Sequence, residues 1–232
     1  MMYYSKNHAG LVLIDRGMGL LEFSGDGTIA ASDTEVWNTV AADWKNGFTT
    51  LEMRDGITAI GAGVIVQFPK LAKLILPESV ACIRVDAEDG AILRANDVCI
   101  HAAYGSYGDA FAHAHGLRLL PEDIELGWYR DEVHDEGTKL VLRFHEDGSM
   151  HLLYDIFTAG ISAGSSGGAS LERPMPEEYH PGCTLEEFAE LFPERYHEQI
   201  MRNPRVKCFL QREAERGRQR KGDDIWQAAE KN

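Results

Sequence analysis

Apolar residues recur along residues 48–83 at one fixed spacing. Phe48 and Leu71, Leu51 and Leu74, Met53 and Leu76, Ile57 and Val80, and Ile60 and Ile83 each stand 23 residues apart. A helix repeats its apolar positions every three or four residues and a strand every two. A period of 23 belongs to neither. It implies successive passes of the chain that stack, each covering the apolar face its neighbour would leave open. The alternative is chance self-similarity in a Leu/Ile-rich segment, which explains single matches more easily than five in order.

Within one pass, "LEM" and "LIL" place apolar residues two apart, which suits a short strand. Gly56 and Gly61 suit turns, and Pro77 ends pairing because it has no N–H to donate. The predicted unit is strand, turn, short bulky segment, next strand. Upstream, "GLVLIDRGMGLLEFSGDGTI" alternates on both sides of a glycine-containing turn. It predicts a β-hairpin with Leu11 and Leu13 facing Leu21 and Phe23. "TEVWNTVAADW" then sets Val36, Trp37, Val40 and Trp44 at helical spacing, with Asp33 or Thr34 as the cap, and a short helix or a turn is expected there.

These residues carry a resemblance. "GITAIGAGVIVQFPKLAKLILPESVACI" resembles the BspA-like leucine-rich repeat of many bacterial proteins, in register through Ile57, Ile60, Gly61, Leu71, Leu74, Leu76, Pro77, Val80 and Ile83. The family's Ala-Phe is replaced by Val64-Ile65 and its Cys by Phe68, so the resemblance implies rearranged packing there. The upstream hairpin and Trp segment resemble what precedes the family's first repeat. "VCIHAAYGSYGDAFAHAHGLRL" resembles its closing unit, a strand followed by a short helix, with Ser106, Tyr107, Ala110, Phe111, Ala112, Gly116 and Leu117 in place. The resemblance spans residues 10–120 or so. It implies a short leucine-rich-repeat solenoid with a capping hairpin and a cap helix, and a protein-binding role. Members of the family are often surface or secreted proteins.

After Pro121 the pattern changes. Alternating runs at Leu140, Leu142 and Phe144 and at Met150, Leu152 and Tyr154 flank "HEDGS", a strong hairpin signal, and "IELGWYR" supplies a third antiparallel strand. Residues 158–183, rich in Gly, Ser and Pro, read as a mobile loop. A capping box, "TLEE", opens a helix at Thr184 that places Leu185, Phe188, Ala189 and Phe192 on one face. Pro193 and Pro204 divide residues 184–216 into three short helical pieces, followed by a charged tail that reads as frayed. The expectation is an α/β mixed chain, with a repeat domain at 1–121 and an α+β module at 122–232.

Composition bounds the function. The formal net charge of −14 argues against a nucleic-acid partner, whose phosphates need Lys and Arg. No apolar run approaches the ~20 residues of a membrane helix, and the N-terminus does not read as a signal peptide. The expectation is a cytoplasmic protein. Cys82, Cys99, Cys183 and Cys208 are scattered without a CxxC pair, which predicts neither a zinc ribbon nor a disulfide framework.

The candidate ligand and catalytic residues each meet a simpler explanation. His113 and His115, with His101 and Asp109 nearby, fall two apart in a predicted helix and so point apart. His145 and His151 flank the hairpin turn, where both belong on the polar face opposite Leu142 and Leu152. His180 and Cys183 have a zinc-like spacing without a second pair, and Cys208 reads as a small buried residue. "SAGSSGGAS" lacks both a nucleophile elbow and a phosphate cradle. The carboxylates of "YRDEVHDEG" read as a solvated acidic turn, with a weak cation site as the alternative. Tyr104, Tyr107 and Phe111 suit packing of the cap helix more than an aromatic recognition patch.

No catalytic, cofactor or metal residue is assigned on this reading. The expected function is a non-enzymatic interaction or scaffolding module with a protein partner or a second copy of itself. The alternative is a metal-dependent enzyme or metal-binding module in the C-terminal half, built from His145, His151, His180 and Cys183.

Overall fold

In the 23-residue spacing Leu51 lies beside Leu74, and Ile60 beside Ile83, as partners in two parallel strand ladders. The computed structural model describes residues 1–37, 41, 43–131, 136–158 and 167–216. It is a mixed α/β structure with three sheets and short helices, and it divides into two units, Met1–Pro121 and Glu122–Asn232.

In the first unit, β1 (Met2–Tyr4), β2 (Val12–Gly17) and β3 (Leu20–Ser24) are antiparallel neighbours. Leu13 opposes Phe23 across the predicted hairpin, and Leu11 is buried just ahead of β2. The chain then alternates between two sheets. β4 (Gly27–Ile29), β6 (Ile57–Ile60) and β8 (Cys82–Ile83) form a three-stranded parallel ladder. β5 (Thr50–Met53), β7 (Lys73–Ile75), β9 (Cys99–Ala102) and β10 (Leu119–Pro121) continue the larger sheet beyond β3, all parallel. Leu21, Leu51, Leu74 and Ile100 stand side by side in this sheet and are fully buried, as Ile29 and Ile60 are in the smaller one.

Helix α1 (Ala87–Ala95) and helix α2 (Tyr107–Ala114) follow β8 and β9. Val64, Ile65 and Phe68 are fully buried around a 3₁₀ turn at Ile65–Gln67, so bulkier residues fill that pass. Polar side chains tie successive passes together. Asp89 is buried and accepts from the backbone N–H groups of Gly63 (2.7 Å) and Val66 (2.8 Å). The Asn96 amide donates to the carbonyls of Pro69 and Leu71, each at 2.9 Å.

Of the short helix or turn expected after the hairpin, the chain takes the turn. Asp33 and Thr34 lie in a 3₁₀ turn, Val36 bridges to Ser5, and Trp44 opens a second 3₁₀ turn. Val40 lies outside the described residues. The Asp33 carboxylate accepts from the Ala30 N–H at 2.8 Å, which stabilises a local turn instead of a helix start. One expectation is corrected in this unit: of the predicted cap-helix aromatics, Phe111 is buried, whereas Tyr107, the first residue of the helix after its cap Ser106, is exposed.

The second unit is an antiparallel meander of β11 (Ile124–Asp131), β12 (Glu136–Phe144), β13 (Met150–Thr158) and β14 (Gly167–Pro174). Ile124, Leu140, Leu142 and Leu152 point to one face, which packs with α3 (Leu185–Glu190), α4 (His197–Arg202) and α5 (204–216). Phe209 is at the centre of this packing, with ring centroids 5.7 Å from Phe144, 5.9 Å from Phe188 and 6.1 Å from Tyr179. The capping box is present, with Thr184 N–H donating to Glu187 Oε2 at 2.7 Å and Glu187 N–H to Thr184 Oγ1 at 3.1 Å. Helix α4 closes the outer edge of β11. Gln199 accepts from the Trp128 N–H and donates to the Trp128 carbonyl, both at 2.9 Å, as a neighbouring strand would. A side chain at Gly127 would meet the Tyr196 ring at 2.8 Å, so this approach requires glycine.

The predicted loop at 158–183 is corrected. Within it, Gly167–Pro174 is strand β14, registered on β13 from His151↔Pro174 to Thr158↔Gly167. Small residues and Pro disguise an edge strand whose pairing depends on its neighbour more than on its own propensity. Helix α5 runs to 216, as far as the helical pieces were expected, with ion pairs Arg212–Glu215 (3.3 Å) and Arg216–Glu213 (2.9 Å) on it, and the charged tail beyond 216 lies outside the described set. So do residues 132–135 of the acidic connection. Among the described residues, no helix is long and apolar enough to cross a membrane.

Candidate functional site

The face of the second sheet opposite the helices carries its convergent chemistry. Strand alternation puts Lys139, Arg143, His151, Asp155, Ser170 and Glu172 on this face. His145 follows the end of β12, two residues beyond Arg143, and is positioned by the turn. Its N–H donates to the Ser149 carbonyl at 3.0 Å, and its carbonyl accepts from Gly148 at 2.9 Å. Gly148 has φ +85°, which a glycine adopts without strain. Asp147 accepts from both the N–H and the hydroxyl of Ser149, at 2.9 and 2.7 Å. Those bonds, the hydroxyl's first, hold its carboxyl below the usual range.

Three side chains meet beside this turn. Glu172 Oε1 lies 2.7 Å from His145 Nε2 and 2.8 Å from His151 Nδ1. The imidazole centroids are 4.6 Å apart with planes at 63°, so both rings aim a nitrogen at one oxygen. Each side chain is about one-third exposed. The other carboxylate oxygen, Oε2, is 3.4 Å from Arg143 Nη1, and Arg143 Nε is 3.2 Å from Asp123 Oδ2. The His151 hydrogen bond, then that of His145, holds the Glu172 carboxyl below its ordinary value. Asp123 likewise raises Arg143. Each imidazole donates to Oε1 only when the facing nitrogen carries a proton. The arrangement can share protons between two bases and one carboxylate, or offer two nitrogens and an oxygen to a cation.

The expected pair His145 and His151 is therefore brought together, on the polar face predicted for it. Among the described residues, one group of three or more metal-type ligands converges, and His180 and Cys183 are not part of it. The Cys183 N–H donates to the His180 carbonyl at 3.2 Å, and burial pushes the Cys183 thiol up, away from the thiolate a metal or nucleophilic role needs. His113 and His115 are exposed at the end of α2, and the His115 ring lies 4.4 Å from Phe111. His101 is half-buried on β9. Glu172 and Arg143 escaped the sequence reading. The signal for Glu172 was the polar alternation of Ser170 and Glu172 around Leu171, hidden between a Gly/Ser run and two prolines.

The chain matches no protein-family model and no curated protein sequence. A leucine-rich repeat protein from Eubacterium ventriosum, known as a crystal structure, aligns at a TM-score of 0.31 and 13% identity. The alignment covers 44% of this chain and 28% of that one, so the chain spans under a third of that protein's length.

Proposed function

We propose that the first unit is a short BspA-like leucine-rich-repeat solenoid, and that the protein is a non-enzymatic interaction module that binds another protein. The observation that carries this reading is the 23-residue offset, which recurs as the pairing register of both parallel ladders. Stacked passes of this kind hold a surface rigid at low cost in ordering, which is what a protein-binding face requires.

The first unit also exposes apolar side chains together at its β1 end. Met2 and Tyr4 are each 51% exposed, and Trp37, whose N–H donates to the Tyr4 carbonyl at 3.2 Å, is 71% exposed. Aromatic and Met side chains are enriched in protein interfaces. Lys6 lies 5.4 Å above the Trp37 ring and adds a polar rim.

The test uses the full chain and a Tyr4→Ser/Trp37→Ser variant as paired baits, with sedimentation of each alone. The expected result is a protein retained stoichiometrically by the unsubstituted chain and lost from the variant, or a self-association that the variant abolishes. Equal retention by both, with both monomeric, would overturn the assignment of this surface.

A further inference from the structure

We propose that His145, His151 and Glu172 form a binding site for one divalent transition-metal ion of the zinc class. This site is independent of the interaction reading above.

The donor set is the first argument. Two imidazoles and one carboxylate suit zinc, iron, cobalt or nickel, whereas calcium and magnesium favour six or more oxygens. Geometry is the second. One ligand atom from each of the three residues lies within 4.8 Å of the others. A tetrahedral ion with bonds of about 2.0–2.1 Å separates its ligand atoms by about 3.3 Å. The nitrogen–oxygen separations of 2.7 and 2.8 Å therefore widen by about 0.5 Å on binding, and the two ring nitrogens, within 4.8 Å of each other, settle to the same spacing. Side chains one-third exposed leave room for that shift and a path for the ion.

The support around the trio is the third argument. His151 and Glu172 stand on adjacent paired strands, and His145 is pinned by a closed turn, so little ordering remains when an ion arrives. Arg143 engages Oε2 and leaves Oε1 directed at the imidazoles, as an outer partner of a one-oxygen ligand should. Asp123 sits against Arg143 and offsets its positive charge beside the cation. Binding replaces each N–H···Oε1 bond, and the ligating nitrogens give up their protons to the other ring nitrogen or to water. Three protein ligands leave a fourth position for water or a small anion, the arrangement of open metal sites as opposed to closed structural ones.

The test is titration of the metal-stripped full chain with Zn²⁺ by calorimetry and with Co²⁺ by visible absorption. The expected result is one equivalent of Zn²⁺ and a Co²⁺ spectrum of nitrogen ligation at low coordination number. Affinity should fall about 100-fold or more in His151→Ala and in Glu172→Ala, since losing a ligand costs at least as much as losing an outer partner. Zn²⁺ should raise the melting temperature of the parent chain and not that of either variant. A Co²⁺ spectrum that stays that of the hydrated ion overturns the proposal without recourse to any variant. So does Zn²⁺ uptake that survives both substitutions unchanged, which would place the ion on other histidines.

Discussion

The two units solve the same problem, covering a sheet's apolar face, in opposite ways. The first stacks parallel strands so that Leu21, Leu51, Leu74 and Ile100 cover one another, and its polar side chains mostly tie one pass to the next. The second covers one face of an antiparallel meander with an aromatic cluster on helices, and leaves polar groups of different strands meeting on the other face. Buried polar groups already satisfied by backbone, like Asp89, have no capacity left for a ligand. Groups that satisfy one another near solvent, like Glu172 and its two histidines, can exchange a partner for an ion. The surface proposed for a partner and the site proposed for an ion therefore belong to different units.

The largest effects expected come from the two cores. Phe209→Ala should cost about 3–5 kcal/mol and Leu74→Ala about 2–5 kcal/mol in denaturant unfolding. Hydrogen exchange sharpens the contrast. Leu74→Ala should lower protection in β5, β7 and β9, and Phe209→Ala in β12 and the helices. Equal loss in both units from either change would mean that they do not open separately. Asp89→Ala strands the N–H groups of Gly63 and Val66 and should cost about 2–3 kcal/mol, with the Ile65–Gln67 turn losing protection first.

A third expectation concerns pH. Glu22 is buried in the first unit, bonded by both Nε and Nη2 of Arg16 at 2.9 Å and by Arg54 at 2.9 Å. The Arg16 bond holds its carboxyl below the ordinary 4.5, opposed by burial and reinforced by Arg54. A carboxyl lowered in the folded state stabilises the fold above its unfolded value, and that stability is lost as pH falls through the folded one. Glu22→Gln should thus lower stability by about 1.5–3 kcal/mol at pH 7. The gap should close on acidification below 4.5. A gap of the same size at every pH would remove the charge from the explanation. The smallest effect is Thr184→Ala, about 1 kcal/mol from losing the capping box, read as a small drop in melting temperature.

The sequence was most readable where each residue's neighbour lies at a constant chain distance. Leu51 and Leu74 could be matched because stacking turns a sequence offset into a pairing register. The 145–149 turn was readable because Asp-Gly chemistry is local. Helix α1 passed unread, since Ile92 and Leu93 alone make a thin apolar stripe and its cap, Asp86, looks like one more acid in an acidic run. Strand β14 was obscured because an edge strand owes its existence to β13. The candidate site shared that fate in part. The histidines were visible beside a legible turn, whereas Glu172 reaches them only through a pairing that no local pattern encodes.

Gln199 has a consequence beyond its two hydrogen bonds. By offering one donor and one acceptor to Trp128, a single side chain occupies the place of a fifth strand, and Asn203 reinforces it by donating to the Glu125 carbonyl at 2.7 Å. Among the described residues, β14 at the opposite margin pairs on one side only, and residues 169–174 are exposed. The meander is therefore polar in its capacity for growth. Among the described residues, a foreign strand would lengthen the sheet at β14, where Pro174 and the charges of Glu172 and Arg173 limit how far such an extension could run.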